Sequence, residues 1–142
     1  MVDISAKDIV KREAIAEGFI RLKPETLQMI RRNELEKGNP IEISKLAGII
    51  AAKKTSELLP LCHNIPLEQV MLEAKLEDDG VRVSARVSSH AKTGVEMEAL
   101  TSVAVALLTI WDVVKKVEKD ENGQYPYTEL SEIKVVRKTK EA

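Results

Sequence analysis

Residues 92–116, KTGVEMEALTSVAVALLTIWDVVKK, form the longest apolar run in the chain. Within it Leu100, Val103, Leu107, Ile110 and Val114 recur at helical spacing. Thr93 stands three residues before Glu96, a capping-box pattern that predicts the helix start. Ala99, Ala104, Val105, Ala106, Leu108 and Trp111 fill most of the remaining circumference. A helix apolar nearly all round is buried on more than one side. One side fits a sheet of the same chain; the other predicts a contact between subunits.

The rest of the chain supplies that sheet. Residues 1–11 are polar and read as a loosely ordered arm, and residues 12–22, REAIAEGFIRL, read as a strand. Pro24 suits a first helical position, and Leu27 with Ile30 gives a short helix ending near Asn33. Lys37-Gly38 marks a turn; Asn39, Pro40 and Glu42 then start a second helix. It carries Ile43, Leu46, Ala47, Ile50 and Ala51 on one face and must end or kink before Pro60. Two prolines make residues 59–66, LPLCHNIP, a stiff connector. Val70 to Leu76 and Val81 to Val87 alternate apolar and polar about the turn Asp78-Asp79-Gly80, the pattern of an antiparallel hairpin. A loop follows the long helix around Asn122-Gly123, then a strand over residues 132–137 and a charged tail, 138–142, expected to fray.

Fusing the two early helices into one crossover gives βαββαβ, the ferredoxin-like α+β pattern. It predicts an antiparallel four-stranded sheet with helices on one face, and an open face that is wet or partnered. The chain reads as one domain over residues 1–142. This fold hosts many activities and does not settle function.

Composition narrows the options. The chain is 44% hydrophobic and 32% charged, enough for both a core and solubility. Aromatics are 3% and net charge is −1, which argues against nucleic acid as a partner. The run from Ala99 to Trp111 is too short to cross a bilayer, the first residues are acidic where a signal peptide is apolar, and Cys62 is the only cysteine. These features point to a cytoplasmic chain with no membrane partner.

Several residues could carry chemistry. Asp112 and Lys115 share a helix face and can touch; such a pair can divide base and acid roles. Glu98 lies roughly 21 Å from Asp112 along the helix at 1.5 Å per residue. The two can serve one small reacting centre only if a second copy supplies one of them. The plainer alternative is that acids and lysines simply match the helix dipole. His63 follows Cys62 in the stiff connector and either binds an anion or bonds the loop backbone. Cys62 suits packing better than nucleophilic attack. Lys37, Lys53-Lys54, Lys92, Lys115-Lys116, Lys138 and Lys140 sit at predicted element ends and would make a phosphate site if they converge. No pair of ligand groups has zinc spacing, and no phosphate loop is present.

Taken together, these stretches resemble a known family. MVDIS at the start, KG at 37–38, LAGIIAAKKTSELLPLCH at 46–63, KTGVEMEALTSVAVALLTIWD at 92–112 and VVRK at 135–138 are similar to the molybdenum cofactor biosynthesis protein C (MoaC) family, the cyclic pyranopterin monophosphate synthases. The resemblance implies a lyase acting on 3′,8-cyclo-7,8-dihydroguanosine 5′-triphosphate, the product of a radical SAM enzyme. It would yield cyclic pyranopterin monophosphate and diphosphate. By motif, Asp112 and Lys115 match the catalytic pair. Lys37, His63, Glu96, Glu98 and Lys138 match other site positions, and Leu61, Cys62, Met97 and Glu98 the segments lining substrate. The resemblance also implies a hexamer, a trimer of dimers, with sites between subunits, and possible transient contact with the radical SAM enzyme. No cofactor is expected beyond Mg²⁺ possible with the triphosphate, and no metal site in the chain. Asn39 and Asn64 stand where the family has aspartate and proline, the loop after the long helix is longer, and the glycine-rich basic tail is lacking. The alternative is a non-catalytic nucleotide-binding ferredoxin-like regulatory module, which would release no diphosphate. An RNA-binding ferredoxin-like domain would need sheet aromatics, and Phe19 is the only Phe. A purely structural oligomer would tolerate loss of Asp112 and Lys115.

Overall fold

The computed structural model describes residues 1–142. Its elements are β1 (Val10–Arg21), α1 (Pro24–Arg31), α2 (Pro40–Lys53), α3 (Thr55–Leu58), β2 (Gln69–Glu77), β3 (Gly80–Ala91), α4 (Glu96–Glu118) and β4 (Glu129–Glu141). The strands form one sheet in the order β2-β3-β1-β4, every pair antiparallel. This is the α+β, ferredoxin-like arrangement, with α2 as the first crossover helix and α1 and the single turn α3 as the added pieces.

Alternation puts Ala14, Ala16 and Ile20 of β1 and Val81, Val83, Ala85 and Val87 of β3 on the inner face. Val103, Leu107, Ile110 and Val114 of α4 close over them, all fully buried. The other sheet face is charged. Glu13 pairs with Arg86 at 3.9 Å, Glu17 with Lys134 at 3.9 Å, and Arg82 with Glu77 and Glu132 at 3.0 Å each. Water therefore suits that face, and the ion pairs there, being partly open to solvent, each contribute little.

α2 packs along α4 by its small side. Ser44, Gly48, Ala51 and Ala52 are buried, and Ser102 donates to the Gly48 carbonyl at 2.9 Å. A Cβ on Gly48 would fall 2.3 Å from Leu72 Cδ2 of the sheet and 3.1 Å from Ser102 Oγ of α4, so glycine lets α2 lie close to both. The consequence corrects the simple reading of α2's apolar face: Ile43, Leu46 and Ile50 point outward, 37, 62 and 48% exposed. The helix start was legible, since Asn39 Oδ1 accepts from the Ile41 and Glu42 amides. The chain breaks into the single turn α3 where Thr55 Oγ1 bonds back to the carbonyls of Ala51 and Ala52.

Three other expectations change. The capping box at Thr93 does not form: α4 begins at Glu96 after Val95, with no side-chain cap, and the Glu96 carboxylate takes Lys138 instead. The tail is not frayed through 138–142, because β4 runs to Glu141 and pairs Lys138 with Ala14 and Lys140 with Arg12. The arm is tied down: His63 Nε2 donates to the Val2 carbonyl at 2.6 Å, and Lys92 Nζ to the Ser5 carbonyl at 3.3 Å. By length and composition α4 could also cross a membrane, longer than the run first counted, but half its most apolar window is buried here against sheet and α2.

Candidate active site

The residues singled out by sequence gather at the two ends of α4. At its C-terminal end Asp112 projects from the outer face. Lys37 arrives from the turn before α2, where Gly38 takes φ +107°. Its Nζ donates to Asp112 Oδ1 and to the Asp112 carbonyl, both at 3.3 Å. Lys115 Nζ, one turn on, lies 3.4 Å from the same Oδ1. The Lys37 hydrogen bond, then that of Lys115, holds the exposed Asp112 carboxyl below its ordinary value. These groups line a cavity of about 670 Å³ with Met29, Leu35 and Lys116. A carboxylate held ionised between two ammonium groups can take a proton from substrate, and an ammonium can return one.

At the N-terminal end, Leu61, Cys62, His63, Glu96 and Met97 line a cleft of about 450 Å³. The stiff connector supplies the first three and the first turn of α4 the others. Lys138 reaches Glu96 from β4 at 3.3 Å. A Cβ on Gly94 would sit 1.9 Å from Glu96 Oε1, so the carboxylate folds back over glycine's bare Cα. Behind the cleft, Glu98 is 3% exposed and Cys62 Sγ donates to its Oε2 at 3.7 Å. Its Oε1 is a buried polar atom with no partner. Burial pushes the Glu98 carboxyl up, with Glu96's charge adding to it. Burial, then Glu98, pushes the Cys62 thiol up, which disfavours a thiolate nucleophile.

All ten predicted positions thus lie at one end of α4 or the other. Lys37, Asp112 and Lys115 form one group; Leu61, Cys62, His63, Glu96, Met97, Glu98 and Lys138 form the second. A single copy does not bring the groups together. No cluster of three or more His, Cys, Asp or Glu is placed to hold a metal ion.

Two supporting residues escaped the sequence. Arg12 is 6% exposed, and its Nε and Nη2 donate to the carbonyls of Ala91 and Lys92 at 3.3 Å, bracing the turn that leads to Glu96. Its signal was parity: Arg12 shares the inward phase of Ala14 and Ala16. Glu118, fully buried, accepts from the Lys23 amide at 3.0 Å, from Thr26 Oγ1 and from Thr128 Oγ1 at 2.6 Å. It ties the end of α4 to α1 and to the approach to β4.

Comparison with known proteins places the chain in a family. The chain is 62% identical over 140 residues to a protein of Sulfurisphaera tokodaii, covering 99% of this chain and 93% of that one. It is 63% identical over 141 residues to one of Saccharolobus solfataricus, covering 99% and 95%. With one of Thermococcus kodakarensis it shares 56% over 140 residues, covering 99% and 90%. Each relative bears the name "Probable cyclic pyranopterin monophosphate synthase". The MoaC family pattern matches residues 1–141, so the motifs at both ends of α4 fall within one continuous match, and the chain belongs to the MoaC family.

Proposed function

We propose that this chain is a cyclic pyranopterin monophosphate synthase of molybdenum cofactor biosynthesis. It converts 3′,8-cyclo-7,8-dihydroguanosine 5′-triphosphate to cyclic pyranopterin monophosphate and diphosphate. The observation that carries the chemistry is Asp112 held between Lys37 and Lys115 on the wall of a cavity. Asp112 takes protons as the base and Lys115 returns them as the acid. In the closing step a substrate hydroxyl attacks the α-phosphorus and gives up its proton, while the bond to the leaving diphosphate breaks. Lysine charge stabilises the leaving group without a covalent enzyme intermediate. The second group, around Cys62 and Glu96, holds the rest of the substrate. A divalent ion, where used, enters on the triphosphate.

The whole reaction centre takes its two halves from two copies. Between the half-sites runs an apolar strip: Ile43, Leu46 and Ile50 of α2 and Met97 and Leu108 of α4, all exposed. A two-fold axis near Val105, midway between Glu98 and Asp112, would lay one strip on another. It would also set the Glu96 end of each α4 against the Lys115 end of its partner, matching opposite charges and helix dipoles. Such a pair is the unit of the expected trimer of dimers. The lone, protonated thiol suits the cytoplasm.

The test is diphosphate release and pterin formation from freshly made substrate. Turnover by the wild type, lost by roughly 10²- to 10⁴-fold in Asp112→Asn and Lys115→Ala that remain folded, supports the assignment. Binding without turnover by correctly assembled wild type would instead make the chain a nucleotide-binding module.

A further inference from the structure

Beside the Cys62 cleft lies a smaller cavity of about 240 Å³, whose Lys92 has no part in the roles above. Both histidines of the chain line it, His63 and His90, with Lys92 and with Ile4 and Ile9 of the N-terminal segment. His63 also lines the Cys62 cleft, so the two spaces share a wall. Two donors of this cavity, His63 and Lys92, are taken by neutral groups of the N-terminal segment. His63 Nε2 donates to the Val2 carbonyl at 2.6 Å and Lys92 Nζ to the Ser5 carbonyl at 3.3 Å. His90 is bound separately, its Nδ1 2.7 Å from Glu68 Oε1.

Two observations make these contacts exchangeable. The segment rests lightly: of residues 1–9 only Ile4 is even half-buried. And a carbonyl oxygen is a weaker acceptor for an ammonium or imidazolium than a phosphate oxygen, whose charge-assisted bonds are about twice as strong. We infer that His63 and Lys92 form a polyphosphate subsite whose empty state is capped by residues 1–8, the Val2 and Ser5 carbonyls standing where phosphate oxygens bind. Binding exchanges carbonyl for phosphate at both donors and releases the strap; no bond is made or broken. The inference rests on the proposed reading only in that its substrate carries a triphosphate and its product is diphosphate.

Inorganic diphosphate is the probe, titrated by calorimetry into wild type, Lys92→Ala and a variant lacking residues 1–5. Loss of the Lys92 contact weakens binding by about tenfold, the usual cost of a charge-assisted hydrogen bond. Removing the strap tightens binding a few-fold, because no competing acceptor must leave. Trypsin reads the exchange directly: saturating diphosphate speeds cleavage after Lys7. A rise in KM for the whole substrate in Lys92→Ala assigns the subsite to the bound triphosphate chain. A change in diphosphate affinity alone assigns it to released product. Either supports the subsite. Diphosphate affinity indifferent to both variants, or cleavage after Lys7 unchanged or slowed, overturns it. Should that happen while Asp112→Asn still abolishes turnover, the subsite falls and the proposed function stands; should the wild type bind diphosphate as inferred yet never turn over, the reverse holds.

Discussion

Glu98 and Asp112 sit on the same helix and meet opposite environments. Asp112 is exposed and flanked by two ammonium groups, which lower its pKa. Glu98 is sealed, has one oxygen without a partner and only a thiol on the other, and its pKa is raised. Carboxyls pushed apart in this way take different roles: the first is a standing anion ready to accept protons, the second resists ionising. The same contrast extends to their surroundings. Asp112's partners come from the turn before α2 and from the next turn of α4 itself; Glu98's comes from a proline-stiffened connector. On the proposed reading neither end is a complete site, and the exposed apolar strip of Ile43, Leu46, Ile50, Met97 and Leu108 is the surface a second copy would cover.

The comparison can be broken most severely by destroying that strip. Leu46→Glu, at a position 62% exposed, should leave the chain folded but separate the copies and abolish turnover. Size-exclusion chromatography with light scattering alongside the assay reads both. A variant that loses assembly yet keeps full turnover would show that one copy suffices.

Glu98→Gln sharpens the other side. A carboxyl whose folded pKa is raised adds no penalty below its ordinary unfolded value and costs stability as pH rises through the folded one. Wild-type melting temperature should therefore fall relative to Glu98→Gln as pH climbs from the usual glutamate range into that raised window. Parallel curves would mean that Glu98 is not desolvated in the assembled protein. For Asp112 the sign is opposite: its anion is favoured above the ordinary aspartate value and lost as pH falls through the depressed one. Lys37→Ala removes the largest cause of that depression, so the acidic limb of kcat/KM should move to higher pH, a smaller effect read from the profile's position rather than its height.

Most of the fold was legible because local rules and packing agreed. The hairpin alternation, the Asn39 cap and the Pro24 helix start all appear as the pattern predicts. The failures occur where another demand outweighed the local one. Glu96 leaves the capping box because Lys138 holds its carboxylate, and the turn before it is fixed by Arg12 and Gly94 instead. The charged end of β4 reads as a tail because an edge strand buries almost nothing, yet its backbone pairs with β1 to Glu141. Ile43, Leu46 and Ile50 look like a core stripe by spacing, but Gly48 and Ser44 let the narrow side of α2 approach α4 more closely. Of the candidate site, the residue identities came through the motifs. Their division between two ends of one helix was visible as a spacing of Glu98 from Asp112; the burial difference that separates their pKa values was not, since it depends on where the connector carrying Cys62 returns.

The central claim, that each reaction centre is completed by two copies, is tested most directly by complementation. Asp112→Asn and Glu96→Gln, each inactive alone, are co-expressed or reassembled in equal amounts. Random pairing makes half the dimers mixed, each with one intact centre of two, so about a quarter of wild-type turnover returns. Turnover that stays at the level of the two parents would mean that each copy builds its centre alone.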